Sequence, residues 1–198
     1  MTTTSTTQTG AAGQRPTPPI TIAGRYALDA AHSHVGFSVR HLMISNVRGE
    51  FPRVTGEISY DAARPEATTM SVSIEVASVN TREEKRDAHL RSADFFDVEN
   101  HPTMTFVSKS ALRGKDGGLD LLGDLTIRGT TREITLAIED ITPEQVDPWG
   151  GKRLGATAHA RILRSDFGMT WNGVLEAGGF LVGDEVKILI EAELVRQA

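Results

Sequence analysis

The histidines are the residues of this chain whose types and spacing come closest to a chemical site. His32 and His34 lie two positions apart, so on an extended strand both side chains share one face, as zinc ligands can. No third histidine or carboxylate stands at a telling spacing from them. Val35, Phe37 and Val39 alternate with the pair, so the pair should face away from an apolar interior. We therefore predict no metal site.

Catalytic motifs are sparse. The chain has no cysteine, which excludes a thiol nucleophile, a thiolate metal site and a disulfide scaffold. It has no Gly-x-Ser-x-Gly elbow and no phosphate-binding glycine loop, and its carboxylates form no pair suited to acid–base work. We predict a protein that is not an enzyme and has no cofactor, although a constellation assembled from distant strands would escape this reading.

The charged segment 82–87 is the strongest candidate for polar contacts. Residues 81–96 read as a helix that begins at Thr81 and has Glu84 in capping-box position. Its charges are typical of a solvated helix face, but Arg86 or His89 would suit a phosphate or carbonyl head group. The helix either covers the opening of a barrel or simply connects two strands, and both readings stay open.

The elements around it alternate apolar and polar residues with a period of two, as half-buried strands do. About eight such segments follow one another, separated by turn residues, which indicates an antiparallel sandwich or barrel. The apolar positions of the segments include Val35, Phe37, Val39, Val72, Ile74, Met104 and Phe106.

The inward positions mix small and large residues. Gly56, Gly123, Ala156, Ala158 and Ala160 would leave volume inside a small barrel, while larger apolar residues would line it. The alternative is that all of them fill a packed core, with the glycines at bulges. Segment 164–172 is similarly ambiguous. Its Phe167, Met169 and Trp171 share one parity, so they either line the cavity or its mouth, or plug one end as a rim loop.

Length and composition restrict the domain organisation, the partners and the location of the protein. Residues 1–24 are rich in Thr and Pro and predict a disordered tail, which leaves 25–198 as one domain. The net charge of −5 argues against nucleic acid and against anionic membrane surfaces. The chain shows no apolar segment long enough for a membrane span and no secretory signal, so we predict a cytoplasmic protein.

Several ordered motifs resemble the YceI-like proteins. They are AHSHVGFSVRH at 31–41, VRGEF at 47–51, DAHLRSADFFD at 87–97, PTMTF at 102–106, GDLTIRG at 123–129 and DFGMTWN at 166–172. The resemblance runs from about residue 25 to 195 and is specific because the motifs occur together and in order. It implies an all-β fold, an extended, antiparallel, lipocalin-like barrel of about eight strands with a helical connection.

The resemblance also implies a long amphiphile inside the barrel, such as a polyisoprenoid, its phosphate or an isoprenoid quinone. Members of the family are often dimeric, so a homodimer is an expectation, and many carry an export signal that we do not find. The family supplies no catalytic residues to carry over. A non-catalytic stress-response or interaction module with a packed barrel is the alternative.

From these points we predict a carrier that transports or sequesters an isoprenoid lipid. The head group should lie near Arg86 or His89. The residues predicted to line the path of the tail are Val35, Phe37, Val39, Val72, Ile74, Met104, Phe106, Phe167, Met169 and Trp171.

Overall fold

The structure is a computed structural model that describes residues 24–114, 117–173 and 179–198. The tail predicted for residues 1–24 lies outside this part of the chain except for Gly24, which is the first residue of the first strand. Within the described residues, no helix combines the length and the apolar character that crossing a membrane requires.

The described residues contain eleven strands and one α-helix, α1 (Glu84–Arg91). The strands are β1 (Gly24–Leu28), β2 (His34–His41), β3 (Ser45–Glu50), β4 (Val54–Tyr60), β5 (Thr69–Glu75), β6 (Thr103–Arg113), β7 (Leu119–Ile127), β8 (Thr130–Glu139), β9 (Gln145–Val146), β10 (Lys152–Leu163) and β11 (Val182–Arg196).

All strand pairs are antiparallel, and the sheet closes on itself where β10 pairs with β11. Strand β11 is long enough to pair with β2 along its first part and with β1 near its end. Strand β3 pairs with β2, and β4 pairs with β1. Strands β1 and β2 therefore occupy one position in the barrel wall together, and β3 and β4 together occupy the next position. The result is a closed, lipocalin-like barrel of eight strand places, which confirms the predicted fold class.

The alternating pattern explains which face of each strand turns inward. In β7, the side chains of Leu119, Leu121, Leu125 and Ile127 are buried, while the residues between them are partly exposed. The β7–β8 hairpin turns at Arg128 and Gly129, which both have positive φ as a two-residue primed turn requires. Arg128 and Gly129 therefore join β7 and β8 in a hairpin.

The helix differs from the prediction. It begins at Glu84, not at Thr81, because Arg82 has a φ of 63° and cannot continue a right-handed helix. The side chain of Glu83 caps the helix by accepting hydrogen bonds from the backbone N–H groups of Lys85 and Arg86. The helix ends at Arg91, before the aromatic pair at Phe95 and Phe96 that the sequence reading had included.

The two ends of the barrel are built differently. The upper end carries α1, the β2–β3 turn, the β7–β8 turn and the segment 164–173 after β10. The lower end carries the connections after β4, β6 and β8, and it is where β1 meets the end of β11.

Candidate functional site

Two apolar cavities lie inside the barrel, each of about 140 Å³. The lower cavity is lined almost entirely by aliphatic side chains from six or more strands. Among its described lining residues, only Tyr60 and Thr68 carry an oxygen in the side chain. The Thr68 hydroxyl donates to the carbonyl of Pro65, so it needs no partner in the cavity. Such a lining favours hydrocarbon over polar molecules.

The upper cavity lies beneath the helical segment. Phe51, Leu90, Phe95 and Phe96 form its cover, and the rings of Phe51 and Phe96 pack edge to face with centroids 5.7 Å apart. Among the described residues that line this cavity, Arg164 is the single charged one. Of the two interpretations of the helical connection, this arrangement favours a cover over one opening of the barrel.

The two cavities meet end to end. Their linings have four residues in common, which are Val35, Ile74, Leu125 and Ile188. These side chains stand between one cavity and the next along the barrel axis. The interior therefore holds an apolar path that consists of two aligned cavities, with these four side chains as the narrow middle that separates them.

The volume of the two cavities limits the size of the ligand that the barrel can hold in this arrangement of side chains. Each cavity is close in size to the ~150 Å³ of an apolar cavity that takes benzene. A branched five-carbon unit is comparable to benzene in size, so each cavity accommodates about one such unit. A longer chain would require the side chains at the narrow middle to change rotamer. Packed protein interiors hold few voids larger than a water molecule, so this barrel is not fully packed.

Most of the residues predicted to line the path do so in the structure. Val72 and Phe106 line the lower cavity, and Val35 and Ile74 line both. The upper cavity is further lined by Phe37, Val39, Met104 and Met169. Whether these side chains contact a ligand stays a prediction.

The remaining predicted residues have other positions. Phe167 is buried in the main core and is not among the residues that line either cavity. Trp171 lies outside the cover, where its ring packs edge to face on His89, with centroids 4.7 Å apart, and against Phe95. Of the three residues that share one parity in segment 164–172, Met169 alone lines a cavity as predicted.

The two residues predicted to meet a head group are engaged with the protein itself. Arg86 donates from Nε to the Thr81 hydroxyl over 2.7 Å and from Nη2 to the Thr81 carbonyl over 2.8 Å, which fixes the start of the helical segment. His89 lies 2.8 Å from the carboxylate of Asp94 and is partly exposed beside Trp171. Neither side chain lines the upper cavity.

Arg164 is the polar residue that sequence reasoning missed. Its buried guanidinium donates to the carbonyls of Met169, Trp171 and Gly183 at 2.6–3.0 Å. Burial lowers the pKa of Arg164, and the charge of Asp184 partly offsets this, but an arginine stays protonated in proteins. Charged residues are rarely buried, so an alternating pattern gives no sign that this one lines a cavity.

The small inward residues act in two ways. Ala156 and Ala158 line the lower cavity, as their size predicts. Gly123 instead makes room for a ring, because a Cβ there would lie 2.6 Å from Cζ of Phe106. The volume that this glycine leaves is thus filled by an aromatic side chain that itself lines the cavity.

An open groove adjoins the upper cavity on the outside of the barrel. Arg164, Met169 and Val182 line both the cavity and this groove, whose far side is formed by Met43 and Phe180. Met43 belongs to the β2–β3 turn, where Leu42 and Met43 have φ of 52° and 60°. Left-handed backbone costs a residue with a side chain about 1–2 kcal/mol, and turns of this type prefer Asn and Gly.

The histidine pair does not converge. His34 lies 3.1 Å from Glu50 on β3, whereas His32 pairs with Asp29. Asp29, His32 and Glu193 together have the spacing of a metal site. The guanidinium of Arg153 already lies between the two carboxylates, 2.6 Å from each. The positive charge that a cation would bring is therefore supplied by an arginine.

Comparison with known proteins gives a consistent result. The sequence matches the YceI-like domain over residues 26–194. The UPF0312 protein of Ectopseudomonas mendocina (strain ymp) is 41% identical over 151 residues, which cover 75% of this chain and 78% of that protein.

Solved structures give the same picture. The YCEI protein of Campylobacter jejuni is 34% identical, with a TM-score of 0.67 over 86% of this chain and 97% of its own. A polyisoprenoid binding domain from Saccharophagus degradans is 16% identical and has the same fold, with a TM-score of 0.62 over 87% of this chain and 98% of its own.

Proposed function

This chain belongs to the YceI-like family, and on that premise we propose that its barrel binds the apolar chain of an isoprenoid lipid and carries or sequesters it. The single observation that carries the proposal is the pair of aligned apolar cavities inside the barrel. The polyisoprenoid binding domain of Saccharophagus degradans, which has this fold, supports an isoprenoid over a straight chain.

The lining supports a chain held by burial alone. Removal of apolar surface from water is worth about 25 cal/mol per Å², so a ligand that fills both cavities needs no polar anchor along its length. No nucleophile or pair of acid–base groups stands among the described lining residues, which favours binding over chemistry on the ligand.

The upper end is the place we propose for the head group. Arg164 offers the one positive charge among the described lining residues there, and the adjoining groove connects it with solvent. A phosphate, a hydroxyl or a quinone carbonyl would each be attracted to that charge. This position replaces Arg86 and His89, because neither of those side chains lines the upper cavity.

The test is mass spectrometry of an organic extract from freshly purified protein, with the native mass of the intact complex measured alongside. We expect an isoprenoid at about one molecule per protein. Ala158→Phe places a ring in the lower cavity and should reduce the bound amount or select shorter chains, because it removes volume at the far end of the path.

The matched control is His159→Phe, which places the same phenyl ring on the exposed face of the same strand and should leave the bound amount unchanged. An empty protein that also fails to take up isoprenoids on reconstitution would refute the proposal. It would favour the second candidate, an interaction module whose barrel stays closed, which the small volume of each cavity supports. A cytoplasmic location and a homodimer stay predictions.

A further inference from the structure

We propose that the upper end of the barrel docks on the surface of a phospholipid bilayer through an apolar tip formed by Met43, Ile44 and Phe180, next to basic side chains that face anionic lipid. This goes beyond ligand binding, since it concerns where the protein exchanges its contents. It is tested without reference to any bound ligand.

The tip exposes large apolar side chains at one point. Met43, Ile44 and Phe180 are 66%, 78% and 62% exposed, respectively. The two segments are joined by a hydrogen bond from the Leu42 N–H to the Leu181 carbonyl, 2.9 Å long. Exposed apolar side chains that cluster in this way mark interaction sites rather than ordinary surface.

The backbone of the tip holds these side chains out at a cost. The turn closes with a hydrogen bond from Ile44 N–H to the His41 carbonyl, and Leu42 and Met43 occupy its two left-handed positions. Asn and Gly would fit these positions without strain. A strained backbone that presents a bulky apolar side chain to water points to a function for that side chain.

The position of the tip connects it with the interior. Met43 and Phe180 line the outer groove, and the groove shares Arg164, Met169 and Val182 with the upper cavity. A bilayer that receives the tip would therefore lie against the end of the apolar path. A lipid leaving the cavity here would pass into hydrocarbon with little exposure to water.

Charges beside the tip fit an anionic surface. Arg40, Arg48 and Lys187 lie on the outer faces of adjacent strands, and none has an ion pair within the described residues. Arg40 also donates to the carbonyl of Met43, 2.9 Å away, which places it beneath the turn. The nearby carboxylates of Asp184 and Glu185 are held by Ser165 and Arg161.

The net charge of −5 predicts no attraction to anionic membranes, but it is a property of the whole chain. At physiological salt a charge acts over about 8 Å, so the residues next to the tip decide the contact.

The shape of the tip favours a bilayer over a second protein copy. Three side chains on two adjacent segments offer far less than the ~800 Å² per partner that a stable protein interface buries. A rigid partner needs a surface that matches these side chains, whereas a bilayer deforms around them. Apolar residues in a basic setting are also the pattern of proteins that insert shallowly into the interface.

The experiment is sedimentation of the full chain with phosphatidylcholine vesicles, prepared with and without roughly 30 mol% of the anionic lipid phosphatidylglycerol. We expect binding to the anionic vesicles that Met43→Ser with Ile44→Ser reduces by roughly tenfold or more, because two inserted apolar side chains are lost. Met43→Gly should also weaken binding while it relieves the turn, so its melting temperature should not fall.

The control is Trp149→Ser, which removes the most exposed large apolar side chain, 86% exposed, at the lower end of the barrel. It should leave vesicle binding unchanged. Because the chain has no cysteine, Ile44→Cys and Trp149→Cys each accept one environment-sensitive dye. The dye at position 44 should shift to the blue on vesicles, and the dye at position 149 should not.

Absence of vesicle binding by the unaltered chain, equal loss with Trp149→Ser, or a dye shift at position 149 alone would overturn the proposal. Equal binding to vesicles without phosphatidylglycerol would overturn the role of the three cations. If the Ser double variant instead converted a dimer into a monomer, the tip would be a contact between copies. None of these results depends on whether an isoprenoid is extracted.

Discussion

At the scale of single residues, the interior depends on how glycine and aromatic side chains share space. Phe106 lines the lower cavity with its ring laid over Gly123 on the neighbouring strand. A methyl group at position 123 would lie 2.6 Å from both the ring and the Val107 carbonyl oxygen. The carbonyl belongs to a paired strand and cannot move away, so the contact leaves no easy relaxation.

Gly123→Ala should therefore destabilise the fold by about 2 kcal/mol, as overpacking in a core does. Thermal unfolding followed by circular dichroism measures the change. Gly56→Ala is the matched control because it also faces inward, but its nearest neighbour is a methyl group of Val72 at 3.2 Å. Equal losses for both variants would mean that the strand backbone, rather than Phe106, sets the cost.

The inward residues were predictable because alternation in a strand is geometric. Val35, Phe37 and Val39 alternate with polar residues, and the structure places all three on the apolar path. Arg164 was not predictable, since its four carbonyl acceptors come from two segments that only the folded chain brings together. A single sequence does not show that those acceptors converge.

At the scale of elements, the segment that covers the upper cavity is held by a buried carboxylate. Asp87 on α1 accepts hydrogen bonds from the backbone N–H and the hydroxyl of Thr81, and all of these groups are buried. The same threonine hydroxyl accepts a hydrogen bond from Arg86. The start of the cover is therefore fixed by one small network of three side chains.

Asp87→Ala should lower the free energy of unfolding by about 2–3 kcal/mol, because it leaves a buried N–H and a hydroxyl without their acceptor. Chemical denaturation measures the loss. Glu84→Ala, on the first turn of the same helix but exposed, is the control and should change stability by less than about 0.5 kcal/mol. A small loss for Asp87→Ala would show that water replaces the carboxylate.

Two elements show where local sequence rules reach their limit. The capping box predicted at Thr81 and Glu84 does not form, because the Thr81 hydroxyl donates to Asp87 and Arg82 turns the chain before the helix starts. The β2–β3 turn carries no Asn or Gly signal, because its strained positions are occupied by Leu42 and Met43.

At the scale of the whole molecule, carboxylates join the first and last strands at the lower end. Hydrogen bonds from His32 and Arg153 lower the pKa of Asp29 to about 2. Burial raises the pKa of Glu144, but hydrogen bonds from Arg196, Tyr26 and Lys152 outweigh it and bring the value to about 2. As the pH falls to about 4, the carboxyl groups of Asp29 and Glu144 begin to take up protons in the unfolded chain but stay charged in the folded protein.

Because these folded-state values lie below the unfolded ones, the stability that they provide is complete above about pH 5 and is lost as the pH falls towards 2. Glu144→Gln should therefore lower stability at pH 7 by about 1 kcal/mol, a value reduced by solvent screening, and should match the unaltered protein near pH 2. Thermal unfolding at several pH values measures the convergence.

Glu99→Gln is the control, since Glu99 is exposed and has no ion pair in the described ranges. Its difference from the unaltered protein should stay constant with pH. If the Glu144→Gln difference also stayed constant, the hydrogen bonds to Glu144 would not depend on its charge.

The barrel as a whole followed from about eight alternating segments and the resemblance to a known family, but the strand pairs that close it did not. The pairing of β11 with both β1 and β2 joins segments that are far apart in sequence. Local sequence patterns do not reveal such long-range pairs. The β7–β8 hairpin, in contrast, has a local signal in the two turn residues Arg128 and Gly129.

Strand β11 is also the last part of the wall that a ribosome makes. Until Val182–Arg196 has been made, β1, β2 and β10 lack the neighbour that all three share, and the sheet cannot close. At about 5–20 residues per second, the strands made before β11 wait for seconds with their apolar faces uncovered. The order of synthesis therefore makes the enclosure of the apolar interior a late event in folding.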